Sequence, residues 1–428
     1  MRSPNTRNDL LKLGLLAPLA GVGVGLVVAL FRLTLDAADN MRTKLLSEAT
    51  RQEPITSVGI ILLAGGMVAL AAYLVRRFCP EAAGSGIPRV QKVLAGEASP
   101  APARVVIVKF IAGALAIAPG LALGREGPSV QMGASIAYQG GRLFGLGEDN
   151  RRALLAAGAG AGFAAAFGAP LAGALFVMEA LLKRFEPAVA FSTIAAAAMA
   201  TWVAQLVCGS AAELTVATLS EPGLVEGVLS LLLGVLAGFA GVLYNRSLLA
   251  ALSFADHVLM PPVRRAALIG AAIGTVALAA PVLVGSGAAL SQQALDGTTA
   301  MHLLPIFLLL RLVLIVGSVA AGTPGGLLVP LLSLGAQLGS LFGLICALAL
   351  PEGLIEPQAF ALVGMAALFT AIVRTPLTAI ILVIEMTNNA TLVLPIAMAS
   401  FTAMLVPTLV GDVPILDALR ARKTAQAH

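Results

Sequence analysis

Long apolar runs, separated by short polar or glycine-rich stretches, dominate the chain. Eight of these runs are long enough to cross a bilayer, because about 20 helical residues rising 1.5 Å each span its hydrocarbon core of about 30 Å. The predicted spans cover residues of about 13–35, 57–76, 104–122, 188–208, 224–250, 265–284, 302–321 and 391–411. The pattern predicts an all-α, polytopic membrane protein.

Apolar runs that are too short to span the bilayer lie between the predicted spans, and each opens on or is split by glycine and proline. They cover residues 84–95, 124–139, 153–167, 170–183, 326–347, 361–372 and 376–390. An unpaired backbone amide in lipid costs several kcal/mol, so broken and re-entrant helices are tolerated only inside protein or beside a water-filled cavity. These broken helices therefore predict a functional site inside the protein, at the depth of the membrane.

An internal repeat divides the chain into two related halves. Residues 158–179 realign with residues 364–385 at an offset of 206, and residues 124–134 realign with residues 326–336 at an offset of 202. Paired halves with broken helices at corresponding positions are typical of secondary transporters, whose substrate site lies at the repeat interface. The similarity alone leaves the relative direction of the halves open.

Composition supports a membrane location. Charged residues make up 11% of the 428 residues and hydrophobic residues 58%, whereas about 25% of a soluble domain is charged. Most of the outer surface therefore faces lipid. Because basic flanks favour the cytoplasmic side, we expect both termini there, and the protein in the plasma membrane, or the inner membrane of a bacterium. The flanking residues are Arg2, Arg7, Lys12, Arg420, Arg422 and Lys423.

The same counts exclude several function classes. Three Cys without a Cys-x-x-Cys pair, and three scattered His, offer neither a structural zinc site nor a metal centre. The net charge of +5 does not indicate a nucleic-acid-binding surface, so we expect no nucleic-acid partner. Since no constellation of nucleophile, metal or cofactor ligands is present, we expect no enzyme and no cofactor.

Three glycine-rich turns each precede a short helix, at residues 84–88, 124–128 and 326–330. A helix N-terminus presents unpaired N–H groups and about half a positive charge, and glycine lets a ligand approach the backbone closely. Three such ends converging at mid-membrane would hold a small anion without a full positive charge, so the ion could also leave. Helix breaks used only for packing are the alternative.

The turns GSGIP, GREGP and GGLLVP, in this order and spacing, resemble those of the CLC family of chloride channels and chloride/proton antiporters. The stretches GREGPSVQMGASIA and AAAFGAPLAGALFVMEA strengthen the resemblance, which covers about residues 15–422. It implies a homodimer with one pore per subunit, and two halves of inverted topology, at about 12–210 and 222–422. Residues 1–428 would form one transmembrane domain, with no room after the last helix for a cytoplasmic regulatory domain.

The resemblance also implies a central anion site made of a serine hydroxyl and backbone amides. By position, Ser85 would donate its hydroxyl to chloride, and Leu327 and Leu328 would contribute backbone N–H groups. For Ser85 the alternative is an ordinary hydroxyl bonded back to its own helix. The other members of the predicted anion-binding set are Gly86, Ile87, Arg125 and Gly127.

Glu126 is the predicted gate and proton acceptor. An ionisable residue among apolar segments indicates function, and at a helix N-terminus its carboxylate can occupy an anion position in competition with chloride. Once protonated, it would swing away and admit the ion. A structural ion pair with Arg125 is the alternative, but adjacent helical residues point apart, and Arg125 would instead concentrate anions at the outer mouth.

Two positions depart from the antiporter pattern. Antiporters of this family commonly carry an internal proton-transfer glutamate directly after the position of Glu179, where this chain has Ala180. They also use a tyrosine hydroxyl as a second donor to the central chloride, and the alignment places Leu416 there. Protons could still reach Glu126 through water or through Glu179, for which capping a helix end is the alternative role.

These expectations lead to chloride transport, in the form of chloride/proton exchange gated by Glu126. Passive or weakly coupled chloride conduction is the alternative, motivated by Ala180 and Leu416. A more remote alternative is an inverted-repeat carrier for another solute, which would need acidic or carbonyl ligands where these turns offer donors. Chloride, protons and the lipid bilayer are the expected partners.

Overall fold

The computed structural model describes residues 7–49, 54–210, 213–216 and 219–425, and within these ranges the chain is mostly helical. Arg2, part of the predicted N-terminal basic flank, lies outside the described residues. The helices of the first half are α1 (Arg7–Ala49), α2 (Pro54–Phe78), α3 (Ile87–Leu94), α4 (Arg104–Ile117), α5 (Glu126–Leu143), α6 (Glu148–Phe167), α7 (Pro170–Phe176) and α8 (Pro187–Cys208).

The second half repeats this order of elements. Its helices are α9 (Leu224–His257), α10 (Pro262–Ala279), α11 (Ala288–Leu295), α12 (Leu304–Ala320), α13 (Leu328–Ala349), α14 (Ala359–Val373), α15 (Pro376–Thr387), α16 (Val393–Leu409) and α17 (Ile415–Ala425). A π-helical turn, Val177–Leu182, continues α7. Short 3₁₀ helices precede α3, α11 and α12, at Pro80–Ala82, Pro281–Leu283 and Met301–Leu303.

Seven helices in the described part of the chain are long and apolar enough to cross a membrane. Six of them, α1, α2, α8, α9, α10 and α12, fall on predicted spans. The seventh is α13, which has 22 residues. The prediction that residues 326–347 are too short to span was wrong, because the glycine break lies before the helix and not inside it.

Two predicted spans form shorter helices than expected. α4 has 14 residues and α16 has 17. α4 stops before Pro119, which disfavours helix in the residue ahead of it, and before Gly120 in a left-handed conformation. α16 stops before Gly411, which also has a positive φ. Apolar residues continue through both turns, so hydropathy alone overestimates the helix length.

The two halves contact each other through pairs of corresponding residues. Gly124 and Gly326 exchange two backbone hydrogen bonds, with N···O distances of 2.9 and 2.7 Å. Glu179 in the first half caps the start of α15, and its repeat mate Glu385 caps the start of α7. Such reciprocal contacts are what a two-fold axis produces, so a local two-fold axis relates the halves.

The repeat mates α6 and α14 form the buried centre of the protein, and α5 and α13 pack against them. Gly133 meets Gly158, and Gly335 meets Gly364, so closely that a Cβ on any of them would overlap the facing backbone. Small residues let helix backbones approach where lipid offers no hydrophobic driving force for association. This tight frame holds the turns that begin α5 and α13.

Candidate anion pathway

The three glycine-rich turns lie against one another. Two of them share the reciprocal bonds described above, and the N–H of Gly325 donates to the carbonyl oxygen of Gly84 at 3.4 Å. Gly127 has no room for a side chain, since a Cβ there would lie 2.7 Å from the carbonyl oxygen of Ser85. The helices α3, α5 and α13 therefore begin in one shared region.

Glu126, the first residue of α5, is fully buried and places its carboxylate at the start of α13. Its Oε1 accepts a hydrogen bond from the N–H of Leu328 at 2.6 Å and a longer one from Val329 at 3.4 Å. Leu328 is the residue that corresponds to Glu126 in the second half, 202 positions later. The carboxylate thus occupies the place that an anion takes at a helix N-terminus.

Two glycines make this position of the carboxylate possible. A Cβ at Gly124 would overlap Oε2 of Glu126, and a Cβ at Gly326 would overlap Oε1. These glycines are the repeat mates that exchange backbone bonds, so the carboxylate lies between the backbones of the two halves. Only glycine leaves that space.

Two cavities of about 200 Å³ each approach the carboxylate. The Arg125 cavity is lined by Arg125 and Val329, and the Ser85 cavity by Ser85 and Leu327. Leu327 and Val329 flank the residue whose N–H binds the carboxylate, and Leu123 lines both cavities. The buried carboxylate therefore lies between the two cavities.

Ser85 lies just before α3, at the wall of its cavity. Its Oγ accepts a hydrogen bond from the N–H of Ile87 at 3.2 Å, and a hydroxyl that accepts this bond can still donate its hydrogen to a ligand. Gly86 precedes the helix with a φ of +88°, in the left-handed region that favours glycine. Bonding back to the helix and donating to an anion are therefore compatible at Ser85.

Arg125 forms its ion pairs with Glu213 and Asp36, at 2.6 and 3.7 Å, and not with Glu126. Arg32 pairs with the same Glu213 at 2.6 Å. These carboxylates offset much of the positive charge at the mouth of the Arg125 cavity. Any attraction that Arg125 exerts on anions there is therefore weaker than the sequence indicates.

Sequence reasoning missed a second Gly-Ser-Gly turn, residues 285–287, which corresponds to residues 84–86 at an offset of 201. Ser286 lines the Arg125 cavity, as Ser85 lines its own. A proline four residues before each turn, Pro80 and Pro281, is the signal that could have found the pair.

A buried cation lies behind each of these turns. Lys109 Nζ donates to the carbonyl oxygens of Ala82 and Gly84 at 3.0 and 2.7 Å. Arg311, its repeat mate, donates to two carbonyl oxygens at equivalent positions, both at 2.7 Å. Both side chains are fully buried, and a buried charge is costly unless it is hydrogen-bonded. Each cation therefore holds its turn in place and brings positive charge beside the pathway.

Glu179 is the N-terminal cap of α15. Its carboxylate accepts hydrogen bonds from the N–H of Leu377 at 3.1 Å, the N–H of Thr378 at 2.7 Å and the Thr378 hydroxyl at 2.6 Å. An acid at this position satisfies unpaired helix N–H groups and interacts favourably with the helix dipole. The geometry supports the capping alternative.

The two departures from the antiporter pattern lie in one place. Ala180 and Leu416 both line a cavity of about 520 Å³ next to Glu179. The carbonyl oxygen of Ala180 accepts a hydrogen bond from Nε2 of Gln91 at 2.8 Å. This cavity therefore presents apolar side chains at both positions where the family pattern has a polar one.

A carboxylate filling an anion position, inside a bundle of paired half-helices, is the arrangement of an inverted-repeat transport protein for anions. Residues 65–408 match the family described as voltage gated chloride channel. The chain belongs to this family. It is a multi-pass membrane protein whose two halves, of inverted topology, contain broken and re-entrant helices, so the predicted fold class is confirmed.

Named relatives match almost the whole chain. The H(+)/Cl(-) exchange transporter ClcA of Vibrio vulnificus (strain YJ016) is 38% identical over 416 residues, which cover 95% of this chain and 89% of that protein. Its counterpart from Vibrio campbellii is 36% identical over 414 residues, which cover 95% and 88%. The crystal structure of a slow cyanobacterial Cl−/H+ antiporter has a TM-score of 0.92 at 30% identity, over 96% of this chain and 98% of that one.

Proposed function

We propose that this protein exchanges chloride for protons across the membrane, with Glu126 as the gate and the proton acceptor. The observation that carries the proposal is the buried carboxylate at the N-terminus of α13, between the Ser85 cavity and the Arg125 cavity. One acid in an anion position can be displaced by chloride or removed by protonation, so both ions use the same place in turn. The exchangers among the relatives support this choice over passive conduction.

The geometry gives each protonation state of Glu126 a different consequence. As a carboxylate, it accepts the N–H of Leu328 and closes the path between the cavities. Protonation removes the charge that makes this hydrogen bond strong, so the neutral carboxyl leaves and chloride takes its place. The N–H groups of Leu327 and Leu328 and the Ser85 hydroxyl then hold the ion, and Gly86, Ile87 and Gly127 border it.

Protons need a route that does not use a glutamate at position 180. Since the carboxylate of Glu179 is engaged as a helix cap, we assign the route to water in the cavities that flank Glu126. On this route, Ala180 and Leu416 remove two polar groups from the cavity next to Glu179. Exchange does not depend on those groups.

The test is paired measurement of chloride and proton flux from protein reconstituted in liposomes. With chloride loaded inside, its outward gradient should drive proton uptake by the wild type. Glu126→Gln keeps the shape of the side chain but cannot be protonated, so proton uptake should vanish while chloride still moves. Glu352→Gln, the same change at an exposed position, is the matched control and should behave as the wild type.

Rapid chloride flux without proton uptake by the wild type would overturn exchange and favour passive conduction. In that case the reversal potential would follow the chloride gradient alone. Proton uptake that survives Glu126→Gln would leave exchange in place but remove Glu126 from it.

We further propose a homodimer in the plasma membrane, or in the inner membrane of a bacterium, with both termini in the cytoplasm and residues 1–428 as one transmembrane domain. Large apolar side chains on the outward face of α8, such as Phe191 and Trp202, are exposed. Such a surface is suited to contact with lipid or with a second copy.

A further inference from the structure

One face of α5 contacts the turn at residues 84–88, the Ser85 turn. Gly127 lies against the carbonyl oxygen of Ser85, and Gln131 lies against Gly86. A Cβ at Gly86 would overlap Oε1 of Gln131 and would lie 2.7 Å from its Cβ. Gly127 and Gln131 are four residues apart, and residues at this spacing lie on the same face of a helix. A single face of α5 therefore supports the Ser85 turn.

Gln131 also binds the segment that leads into the Ser85 turn. Its side chain is buried, at 2% exposed, and its Nε2 donates to the carbonyl oxygen of Glu81 at 2.9 Å. Glu81 belongs to the short 3₁₀ helix Pro80–Ala82, which directly precedes the turn. The hydrogen bond lies before Ser85 in the chain and the contact with Gly86 lies after it. Gln131 therefore holds the turn on both sides of the serine.

The second half packs its turn in the same way but lacks this hydrogen bond within the described residues. Ser333 is the repeat mate of Gln131, at the offset of 202. It lies against Gly287, where a Cβ would be 2.6 Å from the Ser333 hydroxyl oxygen. That hydroxyl accepts a hydrogen bond from Gln337, on its own helix, at 3.4 Å. A buried cation holds each turn, so the amide anchor is what distinguishes the Ser85 turn.

We infer that Gln131 is a positioning residue for the proposed chloride site, because it fixes the turn from which the Ser85 hydroxyl donates. A donor holds an ion only within hydrogen-bond distance, and a group on a turn is placed less precisely than one on a helix unless its neighbours support it. The N–H groups of Leu327 and Leu328 lie at the start of α13, whereas the Ser85 hydroxyl depends on the anchors of its turn. The inference rests on the proposed function, in which Ser85 binds chloride.

The competing explanation is that Gln131 only fills the space beside Gly86. A methionine or a leucine would fill that space without burying an amide, and the Oε1 of this amide has no hydrogen-bond partner among the described residues. A buried polar atom without a partner is costly. What the amide adds at that cost is the hydrogen bond from its Nε2 to Glu81.

The experiment is isothermal titration of chloride into the detergent-solubilised protein, with Gln131→Met placed in two backgrounds, the wild type and Ser85→Ala. Methionine keeps the length of the side chain but cannot donate, so in the wild type the dissociation constant for chloride should rise about fivefold. In Ser85→Ala no hydroxyl remains to be positioned, so Gln131→Met should cause no further change. Ser333→Ala, at the equivalent contact in the second half, is the matched control and should bind chloride as the wild type does.

Two outcomes would overturn the inference: an unchanged dissociation constant in the wild-type background, or an equal rise in both backgrounds, which would indicate a role independent of the hydroxyl. Thermal unfolding shows whether each variant is folded. If Gln131→Met is not, Gln131→Asn, whose amide is one carbon shorter, takes its place and should show the same rise. The titration involves no proton movement, so proton flux in liposomes tests exchange separately. If the wild type moves no protons, exchange fails, while the titration still decides the role of Gln131.

Discussion

The two halves of the chain supply opposite partners to one hydrogen bond. At equivalent positions of the repeat, the first half has Glu126 and the second has Leu328, and the carboxylate of one accepts the N–H of the other at 2.6 Å. The backbone around both is alike, with a glycine turn, a helix N-terminus and reciprocal bonds. Acids in both halves would place two like charges in one site, and no acid would leave the site without a gate.

Gly326→Ala is expected to have the largest effect, because it disturbs the hydrogen bond between Glu126 and Leu328. The added Cβ would overlap Oε1 of Glu126 and approach the backbone nitrogen of Gly127 at 2.8 Å. The carboxylate then cannot dock on α13, so we expect chloride to move with at least about tenfold less proton flux per ion. Paired chloride and proton flux in liposomes measures this ratio.

Gly66→Ala is the matched control for Gly326→Ala, because no atom lies within 4 Å of a Cβ at that position. A thermal unfolding profile of the detergent-solubilised protein separates loss of docking from loss of the fold. Wild-type coupling in a folded Gly326→Ala protein would contradict the docking geometry.

A smaller effect is expected when one of the buried cations, Lys109 or Arg311, is replaced. It is a loss of stability that should be equal for the two halves. Lys109→Met and Arg311→Met each remove two hydrogen bonds from a buried cation to carbonyl oxygens of a turn. Loss of buried hydrogen bonds of this kind should destabilise the protein by about 1–3 kcal/mol in each variant. Thermal unfolding of the solubilised protein measures the loss, with Lys44→Met at an exposed position as the control.

This pair of cations is a sharp test of the symmetry between the two halves. If one variant unfolds well below the wild type and the other does not, the two turns are not held in the same way. The repeat would then have preserved the shape of the turns but not the interaction that fixes them.

The sequence predicted the features that depend on backbone alone. Turns, helix starts and the repeat require glycine and proline at fixed positions, so 84–88, 124–128 and 326–330 could be read directly. The convergence of these turns followed from the physics of helix ends in lipid. The second Gly-Ser-Gly turn escaped because Ala289 stands where the first turn has Pro88.

Contacts between side chains distant in sequence could not be predicted. Arg125 and Glu213 are 88 positions apart, and no periodicity links them. The reciprocal caps of Glu179 and Glu385 join helices that meet only in the folded chain. The repeat showed that these acids correspond, but not that each binds the other half.

The smallest effect is the loss of stability expected when one of the reciprocal caps, Glu179 or Glu385, is replaced. The two caps differ by one hydroxyl. Glu385 accepts the N–H groups of Leu171 and Ala172 at 3.0 and 2.8 Å, whereas Glu179 also accepts the hydroxyl of Thr378, the repeat mate of Ala172, at 2.6 Å. We expect Glu385→Gln to cost about 1 kcal/mol, and Glu179→Gln about 0.5–1.5 kcal/mol more, by thermal unfolding.

Thr378→Ala makes the two caps alike and serves as the matched control for this difference. In that background, Glu179→Gln and Glu385→Gln should destabilise the protein equally, because each acid then accepts two backbone N–H groups. The ratio of proton to chloride flux should stay at the wild-type value in all of these variants if both acids act only as caps. A lower ratio in Glu179→Gln alone would place that carboxylate on the proton path, since the loss of a cap disturbs both halves in the same way.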